Sequence, residues 1–175
     1  GTGHEVTAVN DAIIKASPFG DGKSGIFFDG VDDYLELPNS ADWAWGTSAF
    51  TVEFWVQKLN ATGYEAIVSS ARNSGNGDSE FYCRFEGTNI NWVQGSDHAS
   101  SGGFSANTWY HVAFVRENNS TDGMKCYVDG TLLYKFTDSK DYFSHARDSD
   151  DKFYFGARWS GSVTQFAKMY LDEIR

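Results

Sequence analysis

Several aromatic and polar side chains in this sequence have the types and spacing that suit recognition of a sugar. A flat aromatic ring packs against the apolar face of a sugar, and polar groups beside it bond to the hydroxyls. Side chains alternate along a strand, so residues two apart share one face. We therefore predict a carbohydrate-binding surface formed by Glu53, Trp55, Tyr82, Arg84, Trp92, Tyr154, Arg158 and Trp159.

The acidic residues do not form the pair that glycoside hydrolysis needs, with one carboxyl as acid and another as nucleophile or base. Glu53 is the only acid on the outward side of its predicted strand, beside Thr51 and Trp55. No Gly-x-Ser-x-Gly motif occurs, and the histidines are scattered. We expect His111 to satisfy polar groups inside the fold. These patterns predict a domain that is not an enzyme, with lyase chemistry by a Tyr and a His left open.

The elements that carry these residues are predicted to be strands. Apolar residues recur at every second position between clusters of Gly, Asn, Asp and Ser, which is typical of an all-β fold. The predicted strands contain residues 26–28, 34–37, 50–57, 80–85, 90–93, 109–116, 126–128, 131–136, 153–155 and 169–174. Only residues 9–15 could form a helix, and Ile13-Ile14 fits a strand equally well. Long polar loops are predicted at 38–48, 71–79, 94–107 and 137–151, and such loops are often functional.

Composition excludes some classes of partner. The formal net charge is −10 and no basic cluster occurs, so nucleic acid and anionic membranes are poor partners. No apolar run is long enough to insert into a bilayer. The first residues lack a Met and an apolar signal core, which indicates a processed fragment. Cys83 and Cys126 fit two buried hydrophobes, and a disulfide between adjacent strands is the alternative.

Six motifs occur in order along the chain, and their sequences are Phe-Asp-Gly-Val-Asp-Asp-Tyr-Leu-Glu-Leu-Pro (28–38), Phe-Thr-Val-Glu-Phe-Trp-Val (50–56), Trp-Tyr-His-Val-Ala-Phe-Val-Arg (109–116), Tyr-Val-Asp-Gly (127–130), Tyr-Phe-Gly-Ala (154–157) and Leu-Asp-Glu-Ile-Arg (171–175). In this order the chain resembles a laminin-G-like domain of the concanavalin A-like lectin/glucanase superfamily. The resemblance covers residues 24–175, and residues 1–23 are predicted to be a lead-in segment of the same domain.

The resemblance implies an all-β fold, a jelly-roll sandwich of two antiparallel sheets, with ligands on a concave face or at the loop rim. Related glucanases carry a Glu-x-Asp-x-x-Glu motif, and this sequence contains no Glu-x-Asp. Trp55 and Trp109 belong to the family pattern, which makes structural packing the alternative role for Trp55. The loop residues Trp43 and Trp45 are expected to cover the edge of the core.

Asp172 is the candidate metal ligand. It shares strand parity with Tyr170 and Ile174, so its carboxylate would face an apolar side unless a bulge intervenes. A buried carboxylate needs a cation or several donors. The resemblance implies a structural calcium held by Asp172 with Asp32 and backbone oxygen near Gly30. The alternative is that Asp172 caps backbone N–H groups of a turn.

Together these features predict a non-catalytic, lectin-like module of an extracellular, cell-surface or virion protein, with a glycan or polysaccharide as partner. The main alternative is a structural or protein–protein interaction domain of a phage tail, virion or bacterial surface protein. A third alternative is an accessory domain of a polysaccharide-degrading enzyme. A fold of this kind hosts all three classes, so the site must decide.

Overall fold

The computed structural model describes residues 4–16, 24–70, 82–93, 97–100, 102–142 and 152–175. The strands in this part of the chain are β1 (Thr7–Val9), β2 (Ile13–Ala16), β3 (Ser24–Asp29), β4 (Tyr34–Leu37), β5 (Phe50–Lys58), β6 (Tyr64–Ser70), β7 (Tyr82–Glu86), β8 (Asn89–Val93), β9 (Asp97–Ser100), β10 (Trp109–Arg116), β11 (Met124–Val128), β12 (Thr131–Phe136), β13 (Phe153–Phe155), β14 (Arg158–Trp159), β15 (Val163–Thr164) and β16 (Lys168–Asp172). A single 3-10 turn, Ala41–Trp43, interrupts the 38–48 loop.

The strands form two large antiparallel sheets. Sheet I has seven strands in the order β1-β4-β13-β6-β7-β8-β9, and sheet II has seven in the order β12-β11-β10-β5-β16-β3-β2. Strands β14 and β15 form a separate short hairpin. The predicted all-β sandwich is confirmed, and many neighbouring strands are distant in sequence, as in a jelly roll.

The core lies between the sheets because each strand directs its apolar residues to one side. In sheet II, Val52, Phe54 and Val56 of β5 are buried, with outward residues between them. In sheet I, Cys83 and Phe85 of β7 are fully buried and face them. Both cysteines are free buried thiols, so the interpretation as buried hydrophobes holds and the disulfide is wrong.

A charged and aromatic cluster is also enclosed in this core. The side chains of Arg116 and Asp138 are both 0% exposed, and Nη1 of Arg116 lies 3.9 Å from Oδ2 of Asp138. The Tyr142 hydroxyl donates to Oδ2 of Asp138 at 3.0 Å, and Nε1 of Trp92 donates to the Tyr142 hydroxyl at 3.1 Å. We call Trp92, Arg116, Asp138 and Tyr142 the inner cluster.

Some elements differ from the sequence-based expectations. The helix considered at residues 9–15 is not formed, because Ile13–Ala16 pairs with β3 as an edge strand of sheet II. Strand β1 likewise pairs with β4 at the edge of sheet I. Strand β6 was not predicted, since its burial does not alternate and its register shifts between Ala66 and Val68. Residues 97–100 of a predicted loop form β9. The predicted loop at 71–79 lies outside the described residues.

Trp43 and Trp45 pack against the core, as expected for residues that cover its edge. The ring of Trp43 lies 4.9 Å from that of Phe153, and the ring of Trp45 lies 4.7 Å from that of Phe50. Their loop is held by a β-bridge between Gly46 and Tyr142. In the part of the chain that the structure describes, no helix has the length and apolar character needed to cross a membrane.

Candidate functional site

The residues predicted to bind sugar do not share one surface. Tyr82, Arg84 and Tyr154 face outward from sheet I, and Arg158 and Trp159 on the β14–β15 hairpin lie against them. The predicted single surface is therefore wrong, because Glu53 and Trp55 face outward from sheet II, on the opposite side of the sandwich, and Trp92 belongs to neither outer face.

Trp92 lies in the core and is 0% exposed. It pairs with Cys83 across the β7–β8 ladder, and both side chains point between the sheets. Its polar neighbour Asn91 faces outward instead, opposite Arg84. A buried indole needs a partner for its N–H, and the Tyr142 hydroxyl supplies one, so a glycan-binding role for Trp92 is excluded by its burial.

The central strand of the outer face of sheet I is β7. Because Cys83 and Phe85 point inward, Tyr82, Arg84 and Glu86 form a line on the outside. The Arg84 guanidinium donates to the Tyr82 hydroxyl and, at 3.1 Å, to Oε2 of Glu86. The Arg84 side chain is 9% exposed and that of Glu86 is 39% exposed. Arg84 is therefore buried and holds Tyr82 and Glu86 in place through hydrogen bonds, and the Glu86 carboxylate is the part that is open to a ligand.

Tyr64, at the start of β6, contacts Glu86 and Arg84 of this row. It was not among the site residues predicted from the sequence. Its hydroxyl donates to Oε1 of Glu86 at 2.8 Å, and its ring lies 4.6 Å from the Arg84 guanidinium carbon. Asn91 also donates to Glu86, at 3.0 Å. Tyr64 is 50% exposed, so its ring is the aromatic surface most open to solvent here. The hydrogen bond from Tyr64, followed by the interaction with Arg84, lowers the pKa of Glu86 below its ordinary value.

The β14–β15 hairpin continues the surface over β13. The guanidinium carbon of Arg158 lies 4.3 Å from the centre of the Tyr82 ring. The rings of Trp159 and Tyr154 are nearly parallel, at 9°, with centres 6.4 Å apart. Tyr154 is 4% exposed, whereas Arg158 and Trp159 are half-buried. Burial, and then the charge of Glu36, raises the pKa of Tyr154 to about 12.

We call this surface the sheet I platform and define it as Tyr64, Tyr82, Arg84, Glu86, Asn91, Tyr154, Arg158 and Trp159. It has an open aromatic ring, a half-buried indole, a carboxylate and a guanidinium side by side. That is the combination of apolar faces and fixed polar groups that suits a sugar. The sequence signal that could have revealed Tyr64 is its position just after Gly63 and before the buried run Ala66–Val68.

The outer face of sheet II carries a smaller group. Oε2 of Glu53 lies 3.5 Å from Nε2 of His111, and Oε1 lies 3.6 Å from Nη1 of Arg175. The Trp55 ring lies 5.3 Å from the imidazole ring. The interior position expected for His111 is wrong, because Val112 and Phe114 take the inward side of β10. The His111 and Glu53 side chains are 30% and 28% exposed, and a second tryptophan, Trp109, lies on the same outward side of β10 as His111.

The metal ligands predicted together lie apart. Lys168 pairs with Asp29, next to Gly30, whereas Asp172 lies four residues further along β16. At about 3.3 Å per residue this separates Asp172 from Gly30 and Asp32 by roughly 13 Å, so the predicted shared site is wrong. Instead, Oδ1 of Asp172 accepts a hydrogen bond from the amide of Glu173 at 2.8 Å, as in the capping alternative. Glu173 has φ 47° and turns Ile174 inward while Asp172 stays outside.

A different carboxylate group does form at the end of β3. Oxygens of Asp29, Asp32 and Asp33 lie within 4.8 Å of one another. Asp33 is fully buried and accepts hydrogen bonds from the amides of Asp11, at 2.8 Å, and Asp29, at 3.0 Å. Burial raises the pKa of Asp33 above its ordinary value. Carboxylate oxygens are calcium ligands, and Asp32 is the one residue of this group that the sequence predicted.

Comparison with known proteins places this fold in a family. A model of the laminin-G-like family, described as the concanavalin A-like lectin/glucanases superfamily, matches residues 29–175. The chain belongs to this superfamily, as the motifs predicted. The comparison with curated proteins finds no match.

Solved structures agree on the fold. The receptor binding domain of botulinum neurotoxin C/D mosaic serotype is similar, with a TM-score of 0.68 and 16% identity over 99% of this chain and 43% of that chain. The botulinum neurotoxin serotype D binding domain gives a TM-score of 0.66 and 15% identity, over 99% of this chain and 43% of that chain. The chain thus spans less than half the length of these relatives, and at this identity the likeness concerns the fold.

Proposed function

We propose that this domain is a non-catalytic carbohydrate-binding module and that the sheet I platform holds the sugar. The observation that carries the proposal is the contact of Tyr64, Glu86 and Arg84, in which an open ring lies beside a fixed carboxylate. A sugar ring would stack on Tyr64, and its hydroxyls would bond to Glu86. Trp159 and Arg158 would contact a second sugar residue, which favours an oligosaccharide or polysaccharide over a monosaccharide.

The platform is rigid, which supports binding. Its side chains are held by one another and by strands inside a sheet, so little conformational entropy is lost when a ligand binds. The arrangement supports binding without catalysis, because Glu86 is held as a charged acceptor by Tyr64 and Asn91. Its pKa is lowered, whereas the acid that protonates a glycosidic oxygen needs a raised pKa.

The setting that we propose is an extracellular, cell-surface or virion protein. The superfamily contains lectins and glucanases by its description, and the similar solved structures are named as binding domains of toxins. A structural or protein–protein interaction domain is the second candidate. For calcium, we propose Asp29, Asp32 and Asp33 as ligands in place of the Asp172 site.

The test is a glycan-array screen of the folded domain, run with calcium and again with EDTA. We expect binding to a restricted set of glycans, and a decrease in EDTA would show that binding depends on calcium. Tyr64→Ala and Trp159→Ala should each weaken binding about tenfold or more, because each removes a stacking surface.

The matched control is Trp55→Ala, which removes a tryptophan from the opposite face. It should bind as the wild type does. Loss of binding in Trp55→Ala with retention in Tyr64→Ala would move the site to sheet II. No binding to any glycan by a folded sample would reject the lectin function and favour the structural candidate.

A further inference from the structure

Arg158 of the sheet I platform has no counter-charge. No carboxylate among the described residues lies within 4.0 Å of its guanidinium, and its Nε has no hydrogen-bond partner there. The chain has 24 acidic and 14 basic residues, so a shortage of acids does not explain the missing partner. A buried N–H without an acceptor costs free energy, which an added acceptor would recover.

Two acids on the same face already have cationic partners. Oε2 of Glu86 accepts a hydrogen bond from Arg84 at 3.1 Å. Glu36 of β4 faces the same side, and its Oε1 accepts from Nζ of Lys152 at 2.8 Å. These carboxylates are neutralised by other side chains, so the positive charge of Arg158 is left for a ligand.

Contacts with an aromatic ring hold Arg158 in position. Its guanidinium carbon lies 4.3 Å from the centre of the Tyr82 ring, which is a cation–π contact. Tyr82 is fixed in turn, because it is buried and its hydroxyl accepts a hydrogen bond from Arg84. Arg158 itself is half-buried. A fixed charge that is partly shielded from water attracts an anion more strongly than a mobile charge in solvent, because screening is weaker and less entropy is lost.

We propose that the sugar residue beside Trp159 carries a carboxylate, as uronic and sialic acids do, and that this carboxylate binds Arg158. A carboxylate is planar and matches two adjacent N–H groups of a guanidinium. The ring of the same sugar would lie against the half-buried indole of Trp159. This inference rests on the proposed function, because it names the class of sugar that the same platform takes.

The two ends of the platform differ in charge, which sets the direction of an oligosaccharide. Arg158 lies over Tyr82 at one end of the outward residues of β7, and Glu86 lies at the other end. Four residues separate these ends, so they lie roughly 13 Å apart. The charged Glu86 repels a carboxylate. The acidic sugar is therefore directed to Arg158 and a neutral sugar to the ring of Tyr64.

The test extends the glycan array to matched pairs, in which each acidic oligosaccharide is printed beside its carboxyl-reduced form. Sialyllactose and hyaluronan tetrasaccharide are two such probes, since each joins an acidic sugar to a neutral one. Reduction removes the charge and keeps the sugar ring. We expect the folded wild type to bind the acidic member about tenfold or more tightly in isothermal titration calorimetry, as for a charge-assisted hydrogen bond. Added salt should weaken binding of the acidic member much more, because salt screens the charge.

Arg158→Gln removes the cation and should bind both members of such a pair with about equal affinity. Lys15→Gln is the matched control, because Nζ of Lys15 lies 3.5 Å from the centre of the Phe27 ring on the outer face of sheet II. This variant loses the same charge from a similar contact and should bind as the wild type does. Near-ultraviolet circular dichroism checks that each variant is folded.

Four outcomes would overturn this inference and leave the platform as a sugar site. They are equal affinity of the wild type for both members of each pair, the same salt dependence for both members, an acidic preference retained by Arg158→Gln, and an equal loss in Lys15→Gln. Binding to no glycan by the folded wild type would instead reject the proposed function itself.

Discussion

Two regions of this molecule have nearly the same chemistry in different places. The inner cluster has Arg116, Asp138 and Tyr142, with the arginine carbon 5.4 Å from the Tyr142 ring. The sheet I platform has Arg84, Glu86 and Tyr64.

Both regions join an arginine, an acid and a tyrosine. Both side chains of the inner ion pair are 0% exposed, whereas the Glu86 side chain is 39% exposed. The comparison indicates that solvent access, rather than residue type, separates the stabilising inner cluster from the surface that we propose to bind sugar.

Removal of the inner carboxylate should have the largest effect on stability. Asp138→Ala leaves the buried guanidinium of Arg116 without its counter-charge and Tyr142 without its acceptor. We expect the free energy of unfolding to fall by about 3–5 kcal/mol, as is usual when one partner of a buried pair is lost. Urea unfolding followed by tryptophan fluorescence measures it. Glu86→Ala is the matched control on the platform and should lose much less. Similar decreases in the free energy of unfolding of the two variants would contradict the view that the buried pair stabilises the fold more than the exposed one.

A smaller effect should appear at high pH, through Tyr154 of the platform. Its pKa is raised to about 12, so its stabilising contribution is complete below the ordinary value of 10 and is lost as the pH rises through 12. The wild type should therefore lose up to roughly 2–3 kcal/mol relative to Tyr154→Phe between pH 10 and 12. Unfolding in urea at intervals across this range tests the difference. Tyr142 is present in both proteins, so parallel curves would mean that Tyr154 ionises normally.

The smallest effect should come from Glu86 at low pH. Because its pKa is lowered, its contribution to stability is present above the ordinary value of 4.5 and is lost as the pH falls through the lower value of the folded state. Glu86→Gln should therefore have a lower free energy of unfolding than the wild type at pH 6, and this difference should shrink as the pH falls below 4.5. A gap that stays constant with pH would show that the charge of Glu86 has no role.

The strand positions were largely predictable, and the exceptions have physical causes. Strand β5 alternates cleanly because one of its faces is buried, so its inward residues Val52, Phe54 and Val56 are correct, whereas His111 of β10 was wrongly expected inside. Strand β6 was missed because its burial does not alternate: the β14–β15 hairpin contacts it, and its register shifts between Ala66 and Val68. Tyr64 was missed with it. Asp172 was placed correctly as a residue of the last strand, but the left-handed turn at Glu173 changes the parity after it.

The sequence by itself determined the family, the two-sheet sandwich and most of the inward residues, because burial of one face imposes a period of two on each strand. It also lacks any Glu-x-Asp, with which the catalytic motif of the related glucanases begins. Only the tertiary structure decided which outward residues meet, since alternation separates inside from outside without saying which sheet a strand joins. Strand order therefore placed Trp55 and Tyr82 on opposite faces and joined Tyr64 to Glu86 across β6 and β7.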